Sequence, residues 1–198
     1  MRRLILQMQT SVDGFVSAYG AEMQWQVWNW GPEWSWDARL RQDFNATFEQ
    51  IDTILLSRKM AEEGYLDHWA RTAEQHRGEP DWAFASRIGQ VGKVVVTGKL
   101  SQARWPRTRI AAGPLAAEVT ALKGQVGKDI LCFGGTGFAS ALIENRLVDE
   151  VQLYVNPAAV GTGGTIFDSA VGGLLLDRVG SKAYDCGIVV NRYQPRAR

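Results

Sequence analysis

The chain has 198 residues, and its 22 basic and 21 acidic side chains leave a formal net charge of +1 at pH 7. This length suits one domain with a full core, residues 1–198, and is short for two. Because so small a charge creates no long-range field toward nucleic acid or an anionic membrane, we expect neither as a partner and expect a small-molecule substrate.

Short apolar runs and helical periodicity alternate along the first half of the chain. Asp37 suits the N-cap or first turn of the first helix, whose Leu40, Phe44 and Phe48 share one face. Residues 61–90 are polar with only a modest helical pattern, so we expect an excursion there. The predicted elements are a strand over 3–9, a loop from Ser11, a helix over 37–50, a strand over 51–57, a helix beginning near Lys59 and a strand over 93–97.

The second half of the chain continues the alternation of strands and helices, but it ends in two strands with no helix between them. Pro114 suits the first position of a helix, and Gly187 breaks the last apolar stretch in the manner of a hairpin. The predicted elements are a strand over 108–111, a helix over 114–123, a strand over 129–133, a helix through Phe138 and Leu142, a strand over 150–155, a glycine loop over 161–164, and strands over 181–185 and 188–193. Strands separated by helices predict an α/β domain with a mostly parallel mixed sheet and an antiparallel C-terminal hairpin.

The segment 129–138 is a buried strand that runs into glycines opening a helix. A helix start leaves its first N–H groups unpaired and carries about half a positive charge, and glycines let a pyrophosphate approach closely. The dinucleotide fingerprint is incomplete, because Ser140 replaces its last small apolar residue and the ribose-binding acid is missing. The glycines are also not followed by Gly-Lys-Ser/Thr, as they would be in the phosphate loop of an NTPase. The pattern favours a nucleotide cofactor, with a simple tight turn as the alternative.

Several weak motifs, taken in order, resemble one family across residues 3–193. The sequence is similar to the dihydrofolate-reductase-like family, in the branch of the reductase domain of the bifunctional riboflavin-biosynthesis deaminase/reductase. The resemblance implies a three-layer α/β/α fold. The motifs are Ser11 to Phe15, Leu55 to Lys59, Lys93 to Thr97, Asp129 to Phe138, Leu147 to Glu150, and Asn156-Pro157 with Gly164 to Phe167.

The resemblance implies NADPH at the carboxyl ends of the central strands. Its pyrophosphate is expected at the glycine turn, and Arg58 is expected near the adenosine 2′-phosphate, where a guanidinium makes paired hydrogen bonds. Two departures remove features of the family pattern: Ser57 replaces a glycine, and Met60 stands where a threonine usually helps to hold phosphate. The implied cofactor-binding residues are Ser57, Arg58, Lys59, Thr97, Lys99, Gly134, Gly135, Thr136, Gly137 and Phe138.

The resemblance also implies residues on the substrate side. Asp13 is the catalytic candidate, as a hydrogen-bond acceptor for substrate or a proton source through water, and its alternative role is to shape the Asp-Gly turn. Asn156 and Gly161 fall where the family closes the site. Asp43 on the first helix would matter in a folate-type reaction. Trp28 belongs to a cluster with Trp25, Trp30, Trp34 and Trp36, which forms either a stacking wall for a planar ring or a buried surface against the core or a second subunit.

The expected activity is NADPH-dependent hydride transfer to a small heterocyclic or carbonyl substrate, similar to that of 5-amino-6-(5-phosphoribosylamino)uracil reductase. The alternatives are a non-catalytic ligand-binding homodimer of this fold and a dihydrofolate-reductase-type pterin reductase. A homodimer in the cytoplasm is expected, without a deaminase zinc signature. No metal site is expected, since His68 and His76 make a poor pair, and Cys132 and Cys186 are read as apolar packing residues.

Overall fold

A computed structural model describes residues 1–20, 24–167 and 173–196. None of the helices in these ranges is long and apolar enough to cross a membrane. The strands are β1 (Leu4–Thr10), β2 (Ser17–Ala18), β3 (Ile51–Ser57), β4 (Gly92–Val96), β5 (Thr108–Ala111), β6 (Asp129–Cys132), β7 (Glu150–Val155), β8 (Gly163–Gly164), β9 (Leu176–Ala183) and β10 (Val189–Pro195). The helices are α1 (Ala38–Glu49), α2 (Arg58–Glu62), α3 (Tyr65–Gln75), α4 (Ala83–Gln90), α5 (Leu115–Gly124) and α6 (Thr136–Glu144), with a 3-10 turn at Pro80–Trp82.

Eight strands form one mixed sheet in the order β5-β4-β3-β6-β1-β7-β10-β9. The first six of these run parallel, whereas β10 pairs antiparallel with β7 and with β9. The mostly parallel sheet with an antiparallel C-terminal hairpin is therefore confirmed. Because the parallel strands share a direction, the carboxyl ends of β3, β6 and β1 meet at one edge, where α/β proteins bind ligands.

Helices cover both faces of the sheet and produce three layers. Along β1, Ile5 packs into one apolar cluster with α1, α3 and α4, while Leu4 and Leu6 pack into another with α5 and α6. This alternation follows from the two-residue period of a strand. The implied α/β/α arrangement is confirmed.

The first helix begins as its sequence predicts. Asp37 caps α1, with its side chain accepting a hydrogen bond from the Leu40 amide at 3.0 Å. Leu40, Phe44 and Phe48 are buried on the face toward the sheet. An N-cap carboxylate of this kind contributes about 1 kcal/mol.

The prediction of an excursion over 61–90 was wrong, because most of this segment is helical. Tyr65, Trp69 and Thr72 lie on the buried face of α3, and Phe84 and Ile88 lie on that of α4. Isolated large aromatics at spacings of three and four are a helical pattern even when polar residues separate them. This helical pair supplies part of the aromatic layer over the sheet.

Three boundaries also differ from the sequence predictions. The loop over 161–164 contains β8, which pairs with β2 as Ser17↔Gly164 and Ala18↔Gly163. The hairpin strand β9 begins at Leu176 rather than 181. Pro114 stands at the N-cap of α5, not at its first helical position. Two-residue strands and long edge strands depend on distant partners, so local patterns predict them poorly.

A buried carboxylate anchors the second half of the sheet. Glu150, at the start of β7, is fully buried and accepts hydrogen bonds from Arg192 Nε at 2.7 Å and from Gln152 Nε2 at 2.7 Å. Arg3 Nη1 lies 3.3 Å from its other oxygen. Burial raises the pKa of Glu150, but these hydrogen bonds and positive charges outweigh burial and hold the pKa below its usual range.

Glu150→Gln is expected to lower the free energy of unfolding by about 2–3 kcal/mol, because it leaves Arg192 without its charged partner. Since the folded pKa is lowered, the contribution is complete above the unfolded pKa of about 4.3 and is lost as pH falls through the folded value. Urea unfolding from pH 7 to 3 should show the gap to wild type narrowing. Asp177→Asn, in an exposed pair with Arg196, should cost under about 1 kcal/mol. A gap that stays constant with pH contradicts the assignment.

Candidate active site

A cavity of about 570 Å³ opens at the carboxyl edge of the sheet, next to the ends of β1, β3 and β6. This volume is typical of small-molecule sites. The parallel register places Leu6 of β1 and Leu55 of β3 on either side of Cys132 in β6. The glycine turn after β6 therefore lies between the segments that follow the other two strands.

The glycine turn is built from two left-handed residues. Gly134 has φ +95°, and a Cβ at this position would lie 2.4 Å from the Met8 sulfur. Gly135 has φ +59° and occupies the N-cap of α6 without a side-chain hydrogen bond. Both positions require glycine, so the chain turns sharply from β6 into α6.

The start of α6 is open. Among the described residues, no acceptor pairs with the amides of Thr136, Gly137 and Phe138, whereas Ala139 N–H already bonds to Gly135. A Cβ on Gly137 would meet no atom within 4 Å, and one on Gly135 would meet only Ser57 Oγ at 3.6 Å. Gly135, Thr136, Gly137 and Phe138 all line the cavity. Free amides, a helix dipole and open space together make an anion-binding cradle.

Arg58 and Lys59, the basic pair after β3, take different positions, and only Lys59 lines the cavity. Ser57 caps α2 by accepting from the Met60 amide at 3.1 Å, and Ser57, Lys59 and Met60 line the cavity. Arg58 is not part of the lining and forms an ion pair with Glu62. The structure therefore brings Lys59, rather than Arg58, to the wall of the cavity that the glycine turn also lines.

Thr97 and Lys99 lie beside this site and outside its lining. Ser57 and Val96 are paired across β3 and β4, so Thr97 follows at the same edge of the sheet. Thr97 Oγ1 accepts a hydrogen bond from the Lys99 amide at 3.0 Å. This hydroxyl therefore shapes its own turn.

The substrate-side candidates Asp13 and Gly161 hold each other. Asp13 accepts hydrogen bonds from the amides of Gly161 at 2.8 Å and Val160 at 3.1 Å. Hydrogen bonding from Ser11 and from these amides lowers the pKa of Asp13. Neither Asp13 nor Gly161 lines the cavity. In this arrangement the carboxylate fastens the loop that leads into β8.

Asn156 is fully buried and connects neighbouring loops through hydrogen bonds. Its Oδ1 accepts from the Val27 amide at 2.8 Å, and its Nδ2 donates to Gln9 Oε1 at 3.2 Å and to Tyr154 O at 3.1 Å. Gln9 in turn donates to the Trp28 carbonyl at 2.9 Å. Asn156 thus positions the tryptophan-rich loop without reaching the cavity.

The tryptophan-rich loop serves both as core and as wall. Trp28, Trp34 and Trp36 are buried, with ring centroids of Trp28 and Trp34 4.9 Å apart. Trp28 and Trp36 also line the cavity, as does Trp30, which is 39% exposed. Of the two roles left open by the sequence, the structure therefore combines burial within the chain and a cavity wall.

The indole N–H groups of this cluster have no oxygen or nitrogen acceptor within the described residues. Those of Trp28, Trp34 and Trp36 are buried in this way. Their neighbours are aromatic, and Trp28 meets Trp36 edge-to-face at 5.2 Å. Edges directed at ring faces hold the cluster in fixed orientations.

Asp43, the folate-type candidate, lies elsewhere. It pairs with Lys182, accepts a hydrogen bond from Tyr184 Oη at 2.7 Å, and lines a second cavity of about 470 Å³. Among the described residues that line the first cavity, Glu63 is the only one with a carboxylate. Its side chain is 63% exposed and faces Lys59. Within the described residues, no buried carboxylic acid therefore lines the first cavity.

The cysteines and histidines occupy packing positions. Cys132 is fully buried, which raises the pKa of its thiol to about 12 and leaves it protonated. His76 stacks on Trp82 with ring centroids 4.2 Å apart, and His68 stacks on Trp30 at 5.9 Å. In the described residues, no group of three or more His, Cys, Asp or Glu side chains is arranged to hold a metal.

Sequence reasoning missed two polar residues on the cavity wall. Gln7 in β1 and Tyr154 in β7 are 5% and 4% exposed, and both line the cavity. The available signal for Gln7 was a polar residue at an inward position of an apolar strand, flanked by Leu6 and Met8. Tyr154 gave none, because a tyrosine in a strand is ordinary core composition.

Comparison with known proteins identifies the family of the chain. The family model of the RibD C-terminal domain matches residues 2–190. The uncharacterized protein YyaP of Bacillus subtilis is 25% identical over 188 residues, which cover 95% of this chain and 92% of that protein.

Solved structures share the fold at low identity. A putative riboflavin biosynthesis protein from Shewanella superposes with a TM-score of 0.69 at 16% identity, covering 98% of this chain and 99% of that one. A pyrimidine reductase-like protein from Corynebacterium diphtheriae gives 0.61 at 14% identity, covering 100% and 93%.

A longer relative completes the comparison. The diaminohydroxyphosphoribosylaminopyrimidine deaminase/5-amino-6-(5-phosphoribosylamino)uracil reductase of Thermotoga maritima gives a TM-score of 0.64 at 14% identity, with 98% of this chain covering 57% of that one. Since the family model covers nearly the whole chain, this protein belongs to the RibD C-terminal domain family, with the dihydrofolate-reductase-like fold.

Proposed function

We propose that this protein is an NADPH-dependent reductase that transfers hydride to a small heterocyclic or carbonyl substrate. The carrying observation is the uncapped start of α6, where Gly135 and Gly137 leave open space beside free amides at the wall of a 570 Å³ cavity. A diphosphate fits this cradle, since it supplies the acceptors that these amides lack.

The residues around the cradle suit a dinucleotide. The amides of Thr136, Gly137 and Phe138 would hold the diphosphate, and Lys59, which lines the same cavity, would add a positive charge. Met60 offers an apolar side chain here and donates no hydrogen bond from it. NADPH, when bound, supplies the hydride.

The protein itself orients the reactants and excludes water. Aromatic residues from the tryptophan-rich loop, α1, α3 and α4 form a large part of the cavity wall. A wall of this kind holds planar rings parallel and keeps the site dry, which favours hydride transfer over side reactions.

Tryptophan emission tests the cofactor directly, because Trp28, Trp30, Trp36 and Trp69 line the cavity. Titration with NADPH should quench the emission in a saturable manner, and titration with NADH, which carries the same diphosphate without the 2′-phosphate, compares the two cofactors. Absorbance of the reduced nicotinamide should then fall in the presence of pteridines, pyrimidines or simple carbonyls. Saturable binding with no oxidation by any of them would favour the non-catalytic binder, and an unchanged emission would overturn the proposal.

A further inference from the structure

The second cavity, of about 470 Å³, lies between α1 and the strands β7, β10 and β9. Strand pairing sets its floor, because Val190 of β10 stands opposite Tyr154 on one side and opposite Lys182 on the other. Arg192 follows on the same face of β10, opposite Gly180. Since Gly180 has no side chain, the floor stays open beside Arg192. The volume is typical of small-molecule sites.

The carboxylates at this cavity already have partners within the protein. Glu150 accepts two hydrogen bonds from Arg192, at 2.7 Å and 3.1 Å. Asp43 pairs with Lys182 and accepts a hydrogen bond from Tyr184 Oη at 2.7 Å. Both acidic side chains of the described lining are therefore satisfied, and neither needs a further cation.

Tyr154 brings an unused donor to the cavity. Gln152 Nε2 donates to Glu150 at 2.7 Å, so Gln152 Oε1 accepts from Gln7 Nε2 at 3.0 Å. The same Gln7 nitrogen donates to Tyr154 Oη at 2.9 Å. The tyrosine hydroxyl therefore accepts here, and its own proton has no acceptor among the described residues. Tyr154 is only 4% exposed, so leaving this proton unpaired is costly unless a ligand accepts it.

The Tyr154 hydroxyl belongs to the second cavity, whereas the ring belongs to the wall between the two cavities. Burial raises the pKa of Tyr154, the charge of Asp43 raises it further and that of Arg192 lowers it. Asp43 and Arg192 both line the second cavity. The ring stacks on Trp36 of the first cavity, with centroids 5.4 Å apart. The unused proton is therefore available to a ligand among these charges.

The other free donors of the second cavity are cationic. Three cations and two carboxylates line it in the described chain, which leaves a net charge of +1. Arg192 uses Nε and Nη2 on Glu150, so only Nη1 is left for a ligand. Its planar fork is thus occupied, and a carboxylate ligand would not find the paired contact that it prefers. A phosphate, in contrast, offers separate oxygens to Arg192, Lys182 and Tyr154.

We infer that the second cavity binds the phosphoryl group of a small molecule, with Arg192, Lys182 and the Tyr154 hydroxyl donating to its oxygens. The side chains of Arg192 and Lys182 are 48% and 39% exposed, so the ligand reaches them from solvent. Among the described lining residues, the two cavities share only Tyr154. This site is thus separate from the start of α6 and does not depend on the proposed reductase function.

Inorganic phosphate is the probe, and it is titrated into the Gly137→Asp protein. The added carboxylate occupies the amides at the start of α6, so the titration reports the second cavity. Calorimetry at an ionic strength held constant with sodium chloride should show one saturable site. Succinate, a dianion with planar carboxylates, should bind at least about 5-fold more weakly. Absence of saturable phosphate binding, or succinate binding as tight as that of phosphate, overturns the inference.

Three further variants in the same background are expected to move the phosphate affinity in opposite directions. Lys182→Gln removes a cation and leaves Asp43 unpaired, so phosphate should bind at least about 10-fold more weakly. Asp43→Asn removes the opposing charge and frees Lys182, so phosphate should bind at least about 3-fold more tightly. Tyr154→Phe removes the uncharged donor and should weaken binding by about 5-fold.

Arg178→Gln is the matched control, because it removes a cation from the same strand, β9, outside the lining of the cavity. It should bind phosphate as its parent does. Equal losses in Lys182→Gln and Arg178→Gln would overturn the inference, as would weaker binding in Asp43→Asn. A gain of affinity cannot come from a damaged fold, so Asp43→Asn keeps the test decisive. NADPH binding to the wild-type protein is measured separately, so failure of the proposed reductase is distinguished from failure of this site.

Discussion

Replacing Gly137 with aspartate is expected to weaken NADPH binding by about 100-fold or more while leaving the fold intact. The added carboxylate stands at the second position of α6, over the amides proposed to hold the diphosphate. It occupies their hydrogen bonds and repels the ligand. Losing one or two charge-assisted hydrogen bonds accounts for about 3 kcal/mol, and repulsion adds to it.

The position allows a clean substitution. Gly137 has ordinary backbone angles, and its Cβ would meet no atom within 4 Å. Aspartate in the first turn of a helix is favoured by the dipole, so thermal stability should hold or rise. Fluorescence titration with NADPH measures the effect.

Two controls separate the carboxylate's position from its presence. Gly137→Ala adds only the Cβ and should change the dissociation constant by less than about 3-fold. Gly124→Asp adds the same charge in open space at the end of α5 and should bind NADPH as wild type does. Wild-type affinity in Gly137→Asp would show that the cradle does not bind the cofactor.

Trp28→Ala is expected to lower the free energy of unfolding by about 4 kcal/mol. Trp28 is 3% exposed and has aromatic neighbours from three helices: Phe44 of α1, Trp69 of α3 and Phe84 of α4. Truncation leaves a cavity at a point where rigid rings cannot collapse into it. Urea unfolding followed by far-ultraviolet circular dichroism measures the loss without depending on tryptophan emission.

Trp30→Ala is the matched comparison. Trp30 belongs to the same loop and lines the same cavity, but it is 39% exposed. Its truncation should cost about 2 kcal/mol, less than that of Trp28, since 39% of its surface is already in water. If the two variants unfold at the same urea concentration, the loop does not contribute to the core. Trp28→Phe, with an expected cost of about 1–2 kcal/mol, keeps the comparison measurable if Trp28→Ala does not fold.

Much of the fold followed from local sequence. Some features depend only on residues a few positions apart, so the sequence shows them directly. They are the N-cap at Asp37, the buried face of α1 with Leu40, Phe44 and Phe48, and the glycines after β6. The strand order and the family resemblance agreed with them. The short strands β2 and β8 were missed, because each is stabilised by the other across about 145 residues of chain.

Some of the predicted site residues line the cavity, and others do not. Gly135 to Phe138, with Ser57, Lys59 and Trp28, were predicted and line the cavity, because the carboxyl ends of parallel strands meet at one edge. Asp13, Asn156 and Gly161 were predicted at the site and instead hold neighbouring loops together. A carboxylate or amide looks the same in a sequence whether it faces a ligand or a backbone amide.

The sequence by itself determined the alternation of most strands and helices, the turn from β6 into α6 through glycine, and the near-zero net charge, since all three depend on neighbouring residues or on composition. Only the tertiary structure decided which polar groups reach the cavity. Gln7 presents its oxygen because Glu150 and Gln152, more than 140 positions along the chain, orient its amide. Such an orientation arises from hydrogen bonds between strands that meet only after folding, so no local pattern encodes it.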